Sequence, residues 1–149
     1  MTLGVKLEGV KWIGYRTFSI AGIRDPNMVC KIEEVLQGVR ERVSDNFKQL
    51  SLEFYLDFKI YGKDGVMGTL EPLRKTQSHE LGIIIEAVAR DQETADTICS
   101  FARSTMLHYG YEGRISTAGN LAFLYSPSDL RAGGVYIFSV YHLMDVSDP

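Results

Sequence analysis

From Leu50 the hydrophobic pattern of this chain acquires a period of two. Leu52, Phe54, Leu56, Phe58 and Ile60 alternate with Glu53, Tyr55, Asp57, Lys59 and Tyr61. Successive side chains of a strand point to opposite faces, so the stretch predicts a strand with one buried and one open face. Just upstream the period is helical. Met28, Ile32, Val35, Leu36, Val39, Val43 and Phe47 form one apolar stripe, while Lys31, Glu34, Arg40, Glu41 and Asp45 occupy much of the remaining surface. Asp25 suits the N-cap of that helix and Pro26 its first position. Before them, residues 10–23 are rich in aromatic and β-branched types and predict a first strand.

Downstream, Gly62, Gly65, Gly68 and Pro72 punctuate a loop over residues 62–78. The apolar run from His79 to Ala89 then predicts a third strand. Asp91 opens a second helix that carries Ala95, Ile98, Cys99, Ala102, Met106 and Tyr109 inward, with Gly110 as its stop. Val135 to Met144 forms the last strand, and Leu121 to Tyr125 a short extra one. The order β-α-β-β-α-β is that of a ferredoxin-like α+β sandwich, an antiparallel sheet with two helices on one face. A doubly wound parallel sheet is the weaker alternative, because it needs helices on both faces.

A chain of 149 residues has the length of one domain, with enough burial to fold without disulfide or metal staples. Its two cysteines, Cys30 and Cys99, lack metal-ligand or redox spacing and predict reduced structural thiols in a cytoplasmic setting. No export signal and no apolar run of membrane-spanning length is present. The formal charge of −3 argues against nucleic acid or an anionic membrane as partner, since both select basic faces. No iron–sulfur, zinc, nucleotide or hydrolase motif occurs, so neither a metal nor another cofactor is expected.

Strand direction places three irregular segments, residues 22–26, 62–78 and 110–134, at one end of the sheet, with both termini at the other. Together those segments carry a slight excess of base over acid, in an acidic chain. A small anion could be received there, with Arg24, His79, Arg114, Ser116, Asn120 and Ser128 as the ligand-binding candidates. His79 is the candidate for acid–base chemistry, as the side chain that titrates near neutrality. Arg103 reads either as a solvated helix residue or as a contact for a partner surface. Both faces of the last strand are largely apolar, which leaves two readings of the open sheet face. Either residues 121–125 fold over it, or it docks a second subunit or companion domain.

Three stretches carry a family resemblance: Gly14–Pro26 (GYRTFSIAGIRDP), Ser78–Glu86 (SHELGIIIE), and Arg114–Phe123 (RISTAGNLAF) continuing into Ser126–Asp129 (SPSD). Over most of its length the chain resembles the C-terminal part of acyclic terpene utilisation (AtuA) family proteins, which are typically much longer. The resemblance implies a cytoplasmic, accessory role in acid or acyl-thioester catabolism, and it identifies no catalytic residue. On the residues alone, three readings stand: a ligand-binding or assembly domain, an enzyme acting on a carboxylate or acyl-thioester, and a small-metabolite sensor. In the enzyme, Asn120, Ser116 and the first helix N-terminus would hold an oxyanion beside His79.

Overall fold

A computed structural model describes residues 3–146, which form a mixed α+β fold with an open antiparallel sheet of five strands and three helices. The strands are β1 (Leu3–Ile23), β2 (Phe54–Tyr61), β3 (Leu81–Ala89), β4 (Ala122–Phe123) and β5 (Asp129–Val146), and the helices are α1 (Pro26–Cys30), α2 (Ile32–Phe47) and α3 (Gln92–His108). The sheet runs β2-β3-β1, and the outer edge of β1 is shared by β5 and then β4. Every pairing is antiparallel, which excludes the doubly wound parallel arrangement. No helix among the described residues is long and apolar enough to cross a membrane.

The strand alternation sorts residues between the faces as the period of two requires. Phe58 and Ile60 of β2, Ile83, Ile85 and Ala87 of β3, and Ala21 and Ile23 of β1 are buried against the helices. The helices answer with Val35, Val39 and Val43 of α2 and Ile98, Cys99 and Ala102 of α3, all buried in the same core. Polar side chains on the helix-facing side of β1 have partners there. The Thr17 hydroxyl donates to Asp96 of α3, and the Ser19 hydroxyl donates to the Ser128 carbonyl at 2.9 Å.

Several predicted boundaries move. The first helix is two, because Lys31 (φ −104°, ψ 17°) leaves the helical region and separates α1 from α2. β3 begins at Leu81, which leaves His79 in the preceding loop. Gly110 does not close the second helix. That helix ends at Tyr109, whose backbone turns extended (φ −63°, ψ 127°). Its ring lies over Gly38 of α2, where a Cβ would sit 1.8 Å from the Tyr109 hydroxyl.

The largest departure is in the outer strands. β1 starts seven residues before Val10 and β5 starts six before Val135, so the two pair from Leu3–Val146 to Ser19–Asp129. β3 pairs with β1 only from Tyr15 onward, so the first part of β1 and the last part of β5 continue beyond the sheet as a two-stranded ribbon. Register shifts at Gly9/Val10, Trp12/Gly14 and Arg16/Thr17 mark bulges that bend this ribbon. β4 is only two residues long and pairs with Ala21 and Gly22, and Phe123 packs against the core. Of the two readings of the open face, the one in which residues 121–125 fold over it is therefore overturned, while the short extra strand expected there is present as Ala122–Phe123. They extend the sheet at its edge.

Candidate anion site at the loop end

The turn between β1 and α1 is fixed by a closed set of hydrogen bonds. Asp25 caps α1, its Oδ1 accepting from the N–H groups of Asn27 (2.7 Å) and Met28 (3.3 Å). Its Oδ2 accepts from the Tyr111 hydroxyl at 2.9 Å and from Asn120 Nδ2 at 2.7 Å. Asn120 Nδ2 also donates to Tyr111 Oη at 2.6 Å, while Asn120 Oδ1 accepts from the Thr117 N–H at 2.7 Å. The Gly119 carbonyl accepts from the N–H groups of Arg24 and Asp25. Residues 111–120 are thereby clipped to the β1–α1 turn. Burial alone would raise the Asp25 pKa, but the bonds from Tyr111, Asn27, Met28 and Asn120 outweigh it and hold the carboxyl below its ordinary value.

This clip presents Arg24 outward. Its Nη1 donates to the His79 carbonyl at 3.0 Å, and the Ser78 hydroxyl donates to the Gly62 carbonyl at 2.7 Å. The first ties the loop before β3 to the β1–α1 turn and the second joins the two ends of that loop, and a cleft of about 490 Å³ is lined by the loop, α1 and the start of α2. Arg24, Lys63, Arg74, Lys75 and His79 surround it, with Glu33 the one carboxylate at its edge, while Pro26, Val29 and buried Ile32 supply apolar wall. Lys63 is already committed to Glu33 and Asp64. Burial would lower its pKa, but those two carboxylates prevail and raise it. Arg74 and Lys75 have no carboxylate partner among the described residues, so the cleft carries positive charge that is not neutralised from within.

Two larger clefts are electrostatically closed, whereas a third, of about 630 Å³ between α2 and the loop after β2, shares Arg74 with the anion cleft and adds Asp57 and Asp64. One of about 640 Å³ between α3 and β5 is lined by Asp96, Asp129 and Arg131, but Arg131 pairs with Asp96, and Arg103 donates to both oxygens of Asp129 at 2.7 and 3.1 Å. Arg103 also stacks on Phe123, so it is engaged within its own chain rather than solvated or offered to a partner. Another cleft, about 670 Å³, lies between the open sheet face and the base of the ribbon. There the nearly buried Glu86 is neutralised by Arg16 and Lys59.

Of the six ligand-binding candidates, the structure brings Arg24 and His79 onto one cleft. Asn120 is buried and does not line this cleft, and both its amide N–H groups are in use. Arg114 donates to the Ser116 hydroxyl at 2.9 Å and to the Leu107 carbonyl at 3.1 Å, where it satisfies the end of α3. Ser128 lies at the start of β5 beside Ser19. A second, smaller hollow on the far side of Arg24 is lined by Asn27, Ile115, Thr117 and Gly119. Sequence reasoning did not single out Arg74 and Lys75 from the loop charges. Their adjacency in a segment assigned to the correct end was the available signal. Glu86 was also missed, although a carboxylate inside the run Ile83–Ala89 requires a partner.

Among the described residues no three His, Cys, Asp or Glu side chains converge to hold a metal. Cys30 is exposed at the cleft and Cys99 is buried in the core. No family model matches the chain, and no curated protein or solved structure matches it significantly.

Proposed function

We propose that this chain is a non-catalytic accessory domain that binds a small carboxylate or phosphate in the loop-end cleft. The observation that carries the reading is the set of Arg24, Arg74 and Lys75 around one cleft, with Arg74 and Lys75 lacking a carboxylate partner among the described residues. Guanidinium and ammonium groups are the natural holders of such oxygens. The cations, not a helix dipole, supply the attraction, because α1 has only five residues and Asp25 occupies its first free N–H groups.

The order of elements and the sheet order β2-β3-β1-β5 support a ferredoxin-like β-α-β-β-α-β sandwich, with β4 as an addition. The resemblance to the C-terminal part of AtuA-family proteins supports a cytoplasmic, accessory place in acyclic terpene or acyl catabolism. The enzyme reading finds less support. Asn120 has no free donor for an oxyanion, and the Asn27 and Met28 N–H groups already serve Asp25. A sensor reading shares the same site and differs in what the bound state signals.

A thermal-shift screen with phosphate, acetate and acyl-CoA compounds tests the proposal. A ligand at about 100 times its Kd adds about 2.7 kcal/mol, which raises Tm by roughly 5–10 °C in a domain of this size. Arg74→Ala combined with Lys75→Ala should remove the shift. No shift with any anion, or an undiminished shift in the double variant, overturns the assignment.

A further inference from the structure

On the reading that the loop-end cleft binds an anion, on which this step rests, we infer that its ligand is a small organic phosphate monoester with a compact apolar body. The residues that line the cleft fall into two sets of different chemistry. Pro26, Val29, Cys30 and the buried Ile32 come from α1 and the start of α2, with Glu33 as the one charge on that side. The loop before β3 supplies Arg74, Lys75 and the Thr76 hydroxyl. Two contacts tie the sides together: Arg24 of the β1–α1 turn donates to the His79 carbonyl, and Lys63 of the loop pairs with Glu33 of α2. The fold therefore sets the spacing between an apolar side and a cationic one. A ligand held between them uses both only if it is two-sided itself.

Charge selects the head. Arg24, Arg74 and Lys75 have no carboxylate partner among the described residues, whereas Lys63 meets both Glu33 and Asp64. Even with those two carboxylates counted, an excess of two positive charges remains around the cleft. The nearby acids have partners of their own: Asp25 turns to Tyr111 and Asn120, and Asp57 is matched by Arg40 and Lys59. A phosphate monoester carries about −1.5 to −2 at neutral pH and has three acceptor oxygens, against one charge and two oxygens for a carboxylate. The phosphate thus matches the excess charge and offers one oxygen to each cation without a carboxylate partner. Size selects the body. About 490 Å³ is the liquid volume of roughly 16 water molecules, far more than a bare phosphate fills. An apolar group against the half-buried Val29 and the exposed Pro26 would occupy the remainder, and burying about 60 Å² of it is worth about a tenfold gain in affinity.

Titrations of the full chain in phosphate-free, low-salt buffer, followed by amide chemical shifts, compare inorganic phosphate, phenyl phosphate and benzoate. Phenyl phosphate should bind about tenfold more tightly than inorganic phosphate, and about threefold or more above benzoate, which brings the same ring with one charge. Val29→Asn should erase the advantage of phenyl phosphate and leave inorganic phosphate unchanged. Arg74→Ala with Lys75→Ala should weaken both phosphates by about tenfold or more. In the unmodified protein, intermolecular NOEs from the ring protons to the Val29 methyl groups supply a reading that does not depend on how the Val29 variant folds. Equal affinity for the two phosphates, benzoate as tight as phenyl phosphate, ring NOEs that miss Val29, or a ring advantage that survives in folded Val29→Asn would overturn the inference and leave the anion site standing. Absence of binding by either phosphate, or binding undiminished in the Arg74 and Lys75 double variant, would overturn both.

Discussion

Both amide N–H groups of Asn120 are committed within the fold, one to the Asp25 carboxylate and one to the Tyr111 hydroxyl. Asn120→Ala therefore removes a donor from both Asp25 Oδ2 and Tyr111 Oη and leaves the Thr117 N–H without its acceptor. The expected loss is about 1–3 kcal/mol in urea unfolding, a stability effect rather than a direct loss of ligand contact. Asp25 adds a pH signature. Its folded pKa is depressed, so the stability it contributes is fully present above the ordinary value of 3.8 and is lost as pH falls through the lower folded value. The stability gap between the wild type and Asp25→Asn should hold from neutrality to about pH 4 and close below it. A gap that instead widens in acid would contradict the assigned bonds. The two thiols separate in the same way by environment. Burial, with the nearby Asp129 charge, pushes Cys99 up to about 12, whereas Cys30 is exposed. A maleimide at neutral pH should label one thiol in the native protein and two after denaturation.

At the level of elements, the places where backbone meets backbone closely are the sensitive ones. Gly14 adopts φ +150° at a bulge, and a Cβ there would lie 2.3 Å from the Ala89 carbonyl oxygen. Gly14→Ala should cost about 1–3 kcal/mol by thermal or urea unfolding, because the β1–β3 junction must spread to admit it. Gly38→Ala in α2 would gain up to about 1 kcal/mol of helix propensity. It must displace the Tyr109 ring to do so, and a net loss is expected. The helical stripe from Met28 to Phe47 and the alternation from Leu52 to Ile60 were legible because each face packs on the core. The extent of β1 and β5 was not. Val5 and Leu7 alternate with Lys6 and Glu8, but their partners Met144 and His142 lie at the far end of the chain, and no core face confirms the pattern. The end of α3 was misread because Tyr109, and not the glycine after it, makes the turn. For the site, topology located the right rim through Arg24 and His79. The roles of Asn120 and Arg114 depend on hydrogen bonds that spacing alone does not specify.

On the scale of the whole molecule, an acidic chain of formal charge −3 keeps unneutralised base at one end, while its exposed apolar ribbon projects away from the other end of the sheet. Anion binding that depends on exposed cations is screened by salt, so affinity should fall between 0.05 and 0.5 M sodium chloride as the screening length shrinks toward a few ångströms. The most direct test of the central claim is a titration of the ¹⁵N-labelled protein with inorganic phosphate, followed by amide chemical-shift mapping. The expected result is saturable shifts at Arg24 and across residues 74–79, with the β2–β3 open face and the ribbon unmoved. Shifts that never saturate, or that map instead to the open face around Arg16 and Lys59, would contradict the account.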